Sequence, residues 1–112
     1  MHRTLKKRLQ DILNSVQEIE EFTNQKGKRY DIFISDRMYF RSIQMNIAII
    51  GEAMAKILET HPEIKITDAR KIVDTRNYMI HGYDSLSPEI MWGIVIKKIP
   101  TLKREIENLL QT

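Results

Sequence analysis

The run Arg76-Asn77-Tyr78-Met79-Ile80-His81-Gly82-Tyr83 gathers a guanidinium, a carboxamide, an imidazole and phenols within one short stretch. Each suits a phosphodiester. A guanidinium grips two phosphate oxygens at once and stabilises charge that develops in a transition state. An imidazole titrates near neutrality, so it can take a proton from a ribose 2′-hydroxyl or give one to a leaving oxygen. Asn77 can orient His81 or the substrate. On a helix Asn77 and His81 are four apart and share a face, with Arg76 on its flank. Gly82 is where a left-handed C-cap belongs, which places His81 at the mouth of a bundle, not in its middle.

No metal is needed by this set, and no cofactor is expected. His2, His61 and His81 are widely separated, the carboxylates show no ligand spacing, and cysteine is absent. Taken only as residues, the constellation also has a plain structural reading. His81 would interact with the last carbonyls of its helix, and Arg76 would pair with Asp74, Asp84 or a glutamate of another helix. Glu52 fits either a buried partner of Arg76 or a surface acid.

Four helical patterns position these residues. Leu5, Leu9, Ile12, Leu13, Val16, Ile19 and Phe22 step by three and four along a first long helix, which Asn24 to Lys28, with Gly27 inside, ends. Arg29 to Ser35 is a connector, either a short strand or one helical turn. Asp36 is an N-cap for a second long helix through Phe40, Ile43, Ile47, Ile50, Met54, Ile57 and Leu58. Met45, Ala48, Ile49 and Ala53 make that helix apolar on more than one side, as a central or partner-facing helix would be. Gly51 inside it needs a reason, and close approach of another helix, within the bundle or across a dimer, is favoured over a functional contact.

His61-Pro62 closes the second helix. Thr67 is expected to cap a third, shorter one carrying Ala69, Ile72, Val73 and Ile80. Ser87-Pro88-Glu89 starts a fourth, with cap, proline and acid in order. Its apolar positions run from Ile90 and Met91 through Ile94, Val95, Ile99, Leu102 and Ile106 to Leu109 and Leu110. Pro100 falls inside that pattern and predicts a kink near Lys97 to Ile99. The fold class is therefore all-α: an antiparallel up-and-down bundle of four main helices, with room for a short fifth. Met91, Trp92, Tyr30 and Tyr78 read as packing residues.

Composition narrows the function classes. The chain has 112 residues, 42% hydrophobic and 29% charged, as one soluble domain over residues 1–112 would have. No apolar run reaches the roughly 20 residues of a membrane span. The basic N-terminus leads into amphipathic sequence and not into a secretory signal. A cytoplasmic protein is expected. The net charge of +3 is modest for a nucleic-acid coating protein. Lys26-Gly27-Lys28-Arg29 and Lys97-Lys98 are its densest basic clusters, read first as solvated surface.

Arg76, four intervening residues, His81, Gly82 and Tyr83 match the Arg-X4-His-X-Tyr signature of the HEPN superfamily, in its HepT-like branch. The resemblance extends over Asp11-Ile12-Leu13, Ile50-Gly51-Glu52-Ala53, His61-Pro62-Glu63-Ile64, Met91-Trp92 and Ile99-Pro100-Thr101-Leu102-Lys103. It implies the toxin of a prokaryotic type VII toxin–antitoxin pair, built as a helical homodimer with two copies of the motif in a shared cleft. Arg76 and His81 would be the catalytic pair of a metal-independent endoribonuclease acting on RNA, with Asn77 in support. Tyr83 would be the tyrosine that a cognate MntA-like nucleotidyltransferase antitoxin modifies with AMP. The alternative is a non-catalytic nucleotide- or RNA-binding or docking subunit of that nucleotidyltransferase. The chain departs from the branch at Ile66-Thr67, where proline-tryptophan is common, and at Asp74-Thr75, which replaces a Gly-Met-like pair. Both departures bear on cleft shape more than on fold.

Overall fold

A computed structural model describes residues 2–81 and 87–111, and of residues 78–81 the backbone only. The architecture is an all-α bundle, with no strand among the described residues. In order the helices are α1 (Arg3–Lys26), α2 (Tyr30–Ser35), α3 (Arg37–Thr60), α4 (Ala69–His81), α5 (Pro88–Gly93) and α6 (Ile99–Leu110). A π-helical turn, Ile94–Lys98, joins α5 to α6.

The two long helices begin and end where short polar signals dictate. Gly27 takes φ of 98° and donates its N–H to the Thr23 carbonyl, closing α1 in a conformation that a side chain would resist. Asp36 caps α3 by accepting from the Tyr39 N–H at 3.1 Å. The connector between them is helical: Tyr30–Ser35 forms a single short helix that buries Phe33. Lys26 Nζ lies 3.1 Å from Asp36 Oδ2 at one end of the pair, and the His2 and His61 rings are 6.3 Å apart at the other. Those two contacts make α1 and α3 antiparallel.

The core is the sum of the apolar stripes. Leu9, Ile12, Val16 and Ile19 of α1 meet Ile43, Ile50, Met54 and Ile57 of α3, closed by Val73 of α4 and by Leu102 and Ile106 of α6, all buried. Burying each such side chain is worth about 1.5–3 kcal/mol. Under α2 the packing is aromatic. Phe33 stacks on Trp92 at 5.0 Å between ring centres and meets Tyr39 edge-on at 5.5 Å. Tyr39 also donates its hydroxyl to the Gly27 carbonyl at 3.1 Å. Met91 is buried as well, so the packing reading of Met91 and Trp92 holds.

Two local expectations are revised. Thr67 does not cap α4: its N–H and hydroxyl both donate to the Glu105 carboxylate of α6, at 3.0 and 2.7 Å. The residue before α4 is instead Asp68, with φ of 59°, whose carbonyl accepts from the Ile72 N–H. Its carboxylate is held by Lys98 Nζ at 2.6 Å. The irregularity expected at Lys97 to Ile99 is the π turn. Pro100 has no N–H to give the preceding turn, and the Ile99 N–H reaches back five residues to the Ile94 carbonyl. Ser87 caps α5 as expected, accepting from the Ile90 N–H at 3.2 Å. The expected C-cap at Gly82 lies outside the described residues.

Candidate active site

Arg76 stands midway along α4, opposite Gly51 of α3. A Cβ on Gly51 would overlap the Arg76 Cβ and sit 3.1 Å from the Ile72 carbonyl oxygen. Glycine is what lets the two backbones meet here, in agreement with the close approach expected from sequence. Its cost in a helix is about 0.5–1 kcal/mol relative to alanine. The neighbouring residue, Glu52, then reaches across the same contact. One Glu52 carboxylate oxygen accepts from Arg76 Nη1 in a short, charge-assisted hydrogen bond.

The other edge of the guanidinium is taken by Asn77. Its side-chain oxygen accepts from Arg76 Nε at 3.1 Å and from Nη2 at 2.7 Å. Asn77 thus fixes Arg76, and its expected role toward His81 concerns a side chain outside the described residues. Arg76 is 23% exposed and Glu52 46%, so the pair lies at the surface with one face open. The Arg76 hydrogen bond, helped by the charges of Arg76 and Lys56, holds the Glu52 carboxyl below the usual carboxylate range. Lys56 is the more distant cation, 4.0 Å from the other carboxylate oxygen.

α4 continues unbroken from Arg76 to His81. The five-residue spacing is therefore a helical one, with an axial rise of about 7.5 Å. The side chain of His81, and Tyr83 altogether, lie outside the described residues. Glu52 also lines a groove of about 360 Å³ with Arg8, Asp11, Asn14 and Lys56, between α1 and α3. The basic clusters are largely engaged elsewhere. Lys26 pairs with Asp36, Arg29 with Asp31 at 2.7 Å, and Lys98 with Asp68. Among the described residues no three histidine or acidic side chains gather as a metal-ligand set.

Beside this site runs an apolar stripe. Met38, Met45 and Ile49 are exposed on α3, and Ile34 on α2. At about 100° per residue, Met38, Met45, Ile49, Glu52 and Lys56 fall within one narrow sector of α3. Among the described residues no helix is long and apolar enough to cross a membrane.

An all-helical bundle with an arginine held at its surface by an acid and an amide is the class that the fold and the site define. Its family can be stated outright. Residues 12–109 match the family model described as Ribonuclease HepT-like, and the chain belongs to that family of the HEPN superfamily. A Thermococcus cleftensis protein named "Probable ribonuclease HepT" is 32% identical over 113 residues, covering 97% of this chain and 98% of its own. Two Methanocaldococcus jannaschii proteins provisionally named RNases are 33% and 30% identical. They cover 94% and 92% of this chain, and 95% and 84% of their own lengths. No solved structure matches the chain. Family membership makes the chain an enzyme of the ribonuclease class.

Proposed function

We propose that the chain is a metal-independent endoribonuclease whose catalytic pair is Arg76 and His81, supported by Asn77. The observation that carries this reading is the guanidinium of Arg76, held at the surface of α4 by Glu52 and Asn77 on the same unbroken helix that ends at His81. Arg76 binds the non-bridging oxygens of the scissile phosphate and stabilises the charge of the pentacoordinate transition state. The 2′-oxygen bonds to phosphorus as the bond to the 5′-oxygen breaks. An imidazole takes the 2′ proton, and an imidazolium supplies one to the leaving oxygen.

One histidine does not do both at once, and a homodimer supplies two. The exposed apolar stripe of α3 supports that assembly, because it leads directly to Glu52 and so would bring two Arg76 side chains to one seam. On this reading the chain is the toxin of a toxin–antitoxin pair. Its partner is an MntA-like nucleotidyltransferase that places AMP on Tyr83. The added bulk and negative charge, two residues from His81, would exclude RNA phosphate.

The test is cleavage of labelled RNA in the presence of chelator, using protein from cells lacking the partner. The native chain cuts, whereas Arg76→Ala and His81→Ala lose about 10²–10⁴-fold in rate while remaining folded. Loss of all native cleavage on adding chelator would end the metal-free reading. No cleavage by native or variant chains, all folded, would instead assign a nucleotide- or RNA-binding subunit of the nucleotidyltransferase. Tyr83→Phe keeps cleavage and escapes neutralisation by the partner. An AMP adduct on that variant in intact-mass spectra would place the modification elsewhere.

A further inference from the structure

We infer that Glu52 is a positioning residue of this enzyme, acting through Arg76, and that Gly51 and Glu52 form one device: the glycine admits the arginine and the glutamate aims it. The inference rests on the ribonuclease reading of Arg76. Three of the five guanidinium N–H groups are committed, one on Nη1 to Glu52, and Nε and one on Nη2 to Asn77. One N–H remains on each terminal nitrogen. Those two are the donors left for a phosphate, so the ion pair does not use up the guanidinium.

An arginine side chain left to itself spreads over many rotamers. Here the closeness of α3 and α4 at Gly51 fixes the root of the side chain, since the two backbones meet at the Arg76 Cβ and the Ile72 carbonyl. The Glu52 carboxylate fixes its tip. Asn77, on the same helix as Arg76, ties the tip directly to α4 alone. Glu52 is the contact that ties it to α3. Lys56, at 4.0 Å, is a looser neighbour of the same carboxylate.

The experiment uses the full chain and compares Glu52→Gln and Glu52→Asp. For each, kcat and KM on an RNA oligonucleotide are measured beside the melting temperature. Misplacing a transition-state contact costs up to about a hundredfold. Glu52→Gln is therefore expected to lower kcat about tenfold to a hundredfold with KM nearly unchanged and folding intact. Glu52→Asp should recover part of the loss. A kcat unchanged in Glu52→Gln overturns the inference. A rise in activity overturns it too, and makes Glu52 a competitor of the phosphate.

A second readout does not depend on cleavage. In ¹⁵N spectra the Arg76 guanidinium signals, assigned by their disappearance in Arg76→Lys, should be slowly exchanging in the native chain and averaged in Glu52→Gln. Signals unaltered by the substitution would overturn the positioning role even if the protein cut no RNA. Loss of native cleavage with the spectral change intact would instead fault the ribonuclease reading alone.

Discussion

At the scale of single residues, the site depends on one missing methyl group. Gly51→Ala would drive a Cβ into the Arg76 Cβ, and α3 and α4 must part to admit it. Overpacking of this kind costs about 1–3 kcal/mol, which would appear as a lower urea midpoint with an unchanged slope. RNA cleavage should fall in the same variant, because the arginine moves with its helix. Much of this was legible beforehand. Arg76 and Asn77 are adjacent in sequence, so their proximity needed no fold, and a glycine inside an apolar helix announced a close approach. The identity of the arginine's partner was not legible. Asp74, Asp84 and Glu52 were equal candidates by charge. Only the register of α3 against α4, set by Gly51 and the core beneath it, selects Glu52 across 24 residues of chain.

At the scale of elements, α4 is held at its start by two attachments to the C-terminal part of the chain. Thr67 is bound to Glu105, and Asp68 to Lys98 on the π turn. Asp68 adopts φ of 59°, which a residue with a Cβ reaches at a cost and a glycine reaches freely. Asp68→Ala loses the carboxylate and keeps the backbone cost, whereas Asp68→Gly loses the carboxylate and relieves it. The alanine variant should therefore melt at the lower temperature of the two. A reversed order in thermal denaturation would show that unfolded-chain freedom outweighs the backbone term.

The long helices were readable from their period, because burial of one face is what the period records. The start of α4 was not. Thr67 has the chemistry of a cap, and its hydroxyl was claimed by a carboxylate 38 residues away. The short α2 was equally undetermined, since six residues show no full period. Pro100 located the irregular turn correctly, but a proline alone does not say which carbonyl will find a new donor.

At the scale of the whole molecule, the long axis of 41 Å is close to the length of a 24-residue helix, about 36 Å. α1 and α3 thus set its length, and the ion pairs tie the ends and flanks of the bundle together. Among the described residues four carboxyls, Asp36, Glu52, Asp68 and Glu89, are held below their ordinary range. For Asp36 the Tyr39 N–H is the largest cause, for Glu52 and Asp68 the hydrogen bonds from Arg76 and Lys98, and for Glu89 its own backbone N–H.

Carboxyls whose folded-state values are depressed add stability that is complete above their unfolded values, near 4, and is lost as the pH falls through the lower folded ones. Melting temperature should be level from about pH 5 to neutrality and decline below about pH 4. A decline already complete at pH 5 would show that other groups govern acid unfolding.

Trp92 is the chain's single tryptophan, and its ring lies among Phe33, Tyr39 and Tyr30 of α2 and α3. It belongs to α5, the helix that follows the segment bearing Tyr83. The molecule therefore carries its own optical reporter, seated where α5 meets the rest of the bundle. Any event that loosens α5 must admit water to that indole and shift its emission to the red. Motion of α5 against the rest of the bundle can then be read by light from the unlabelled protein.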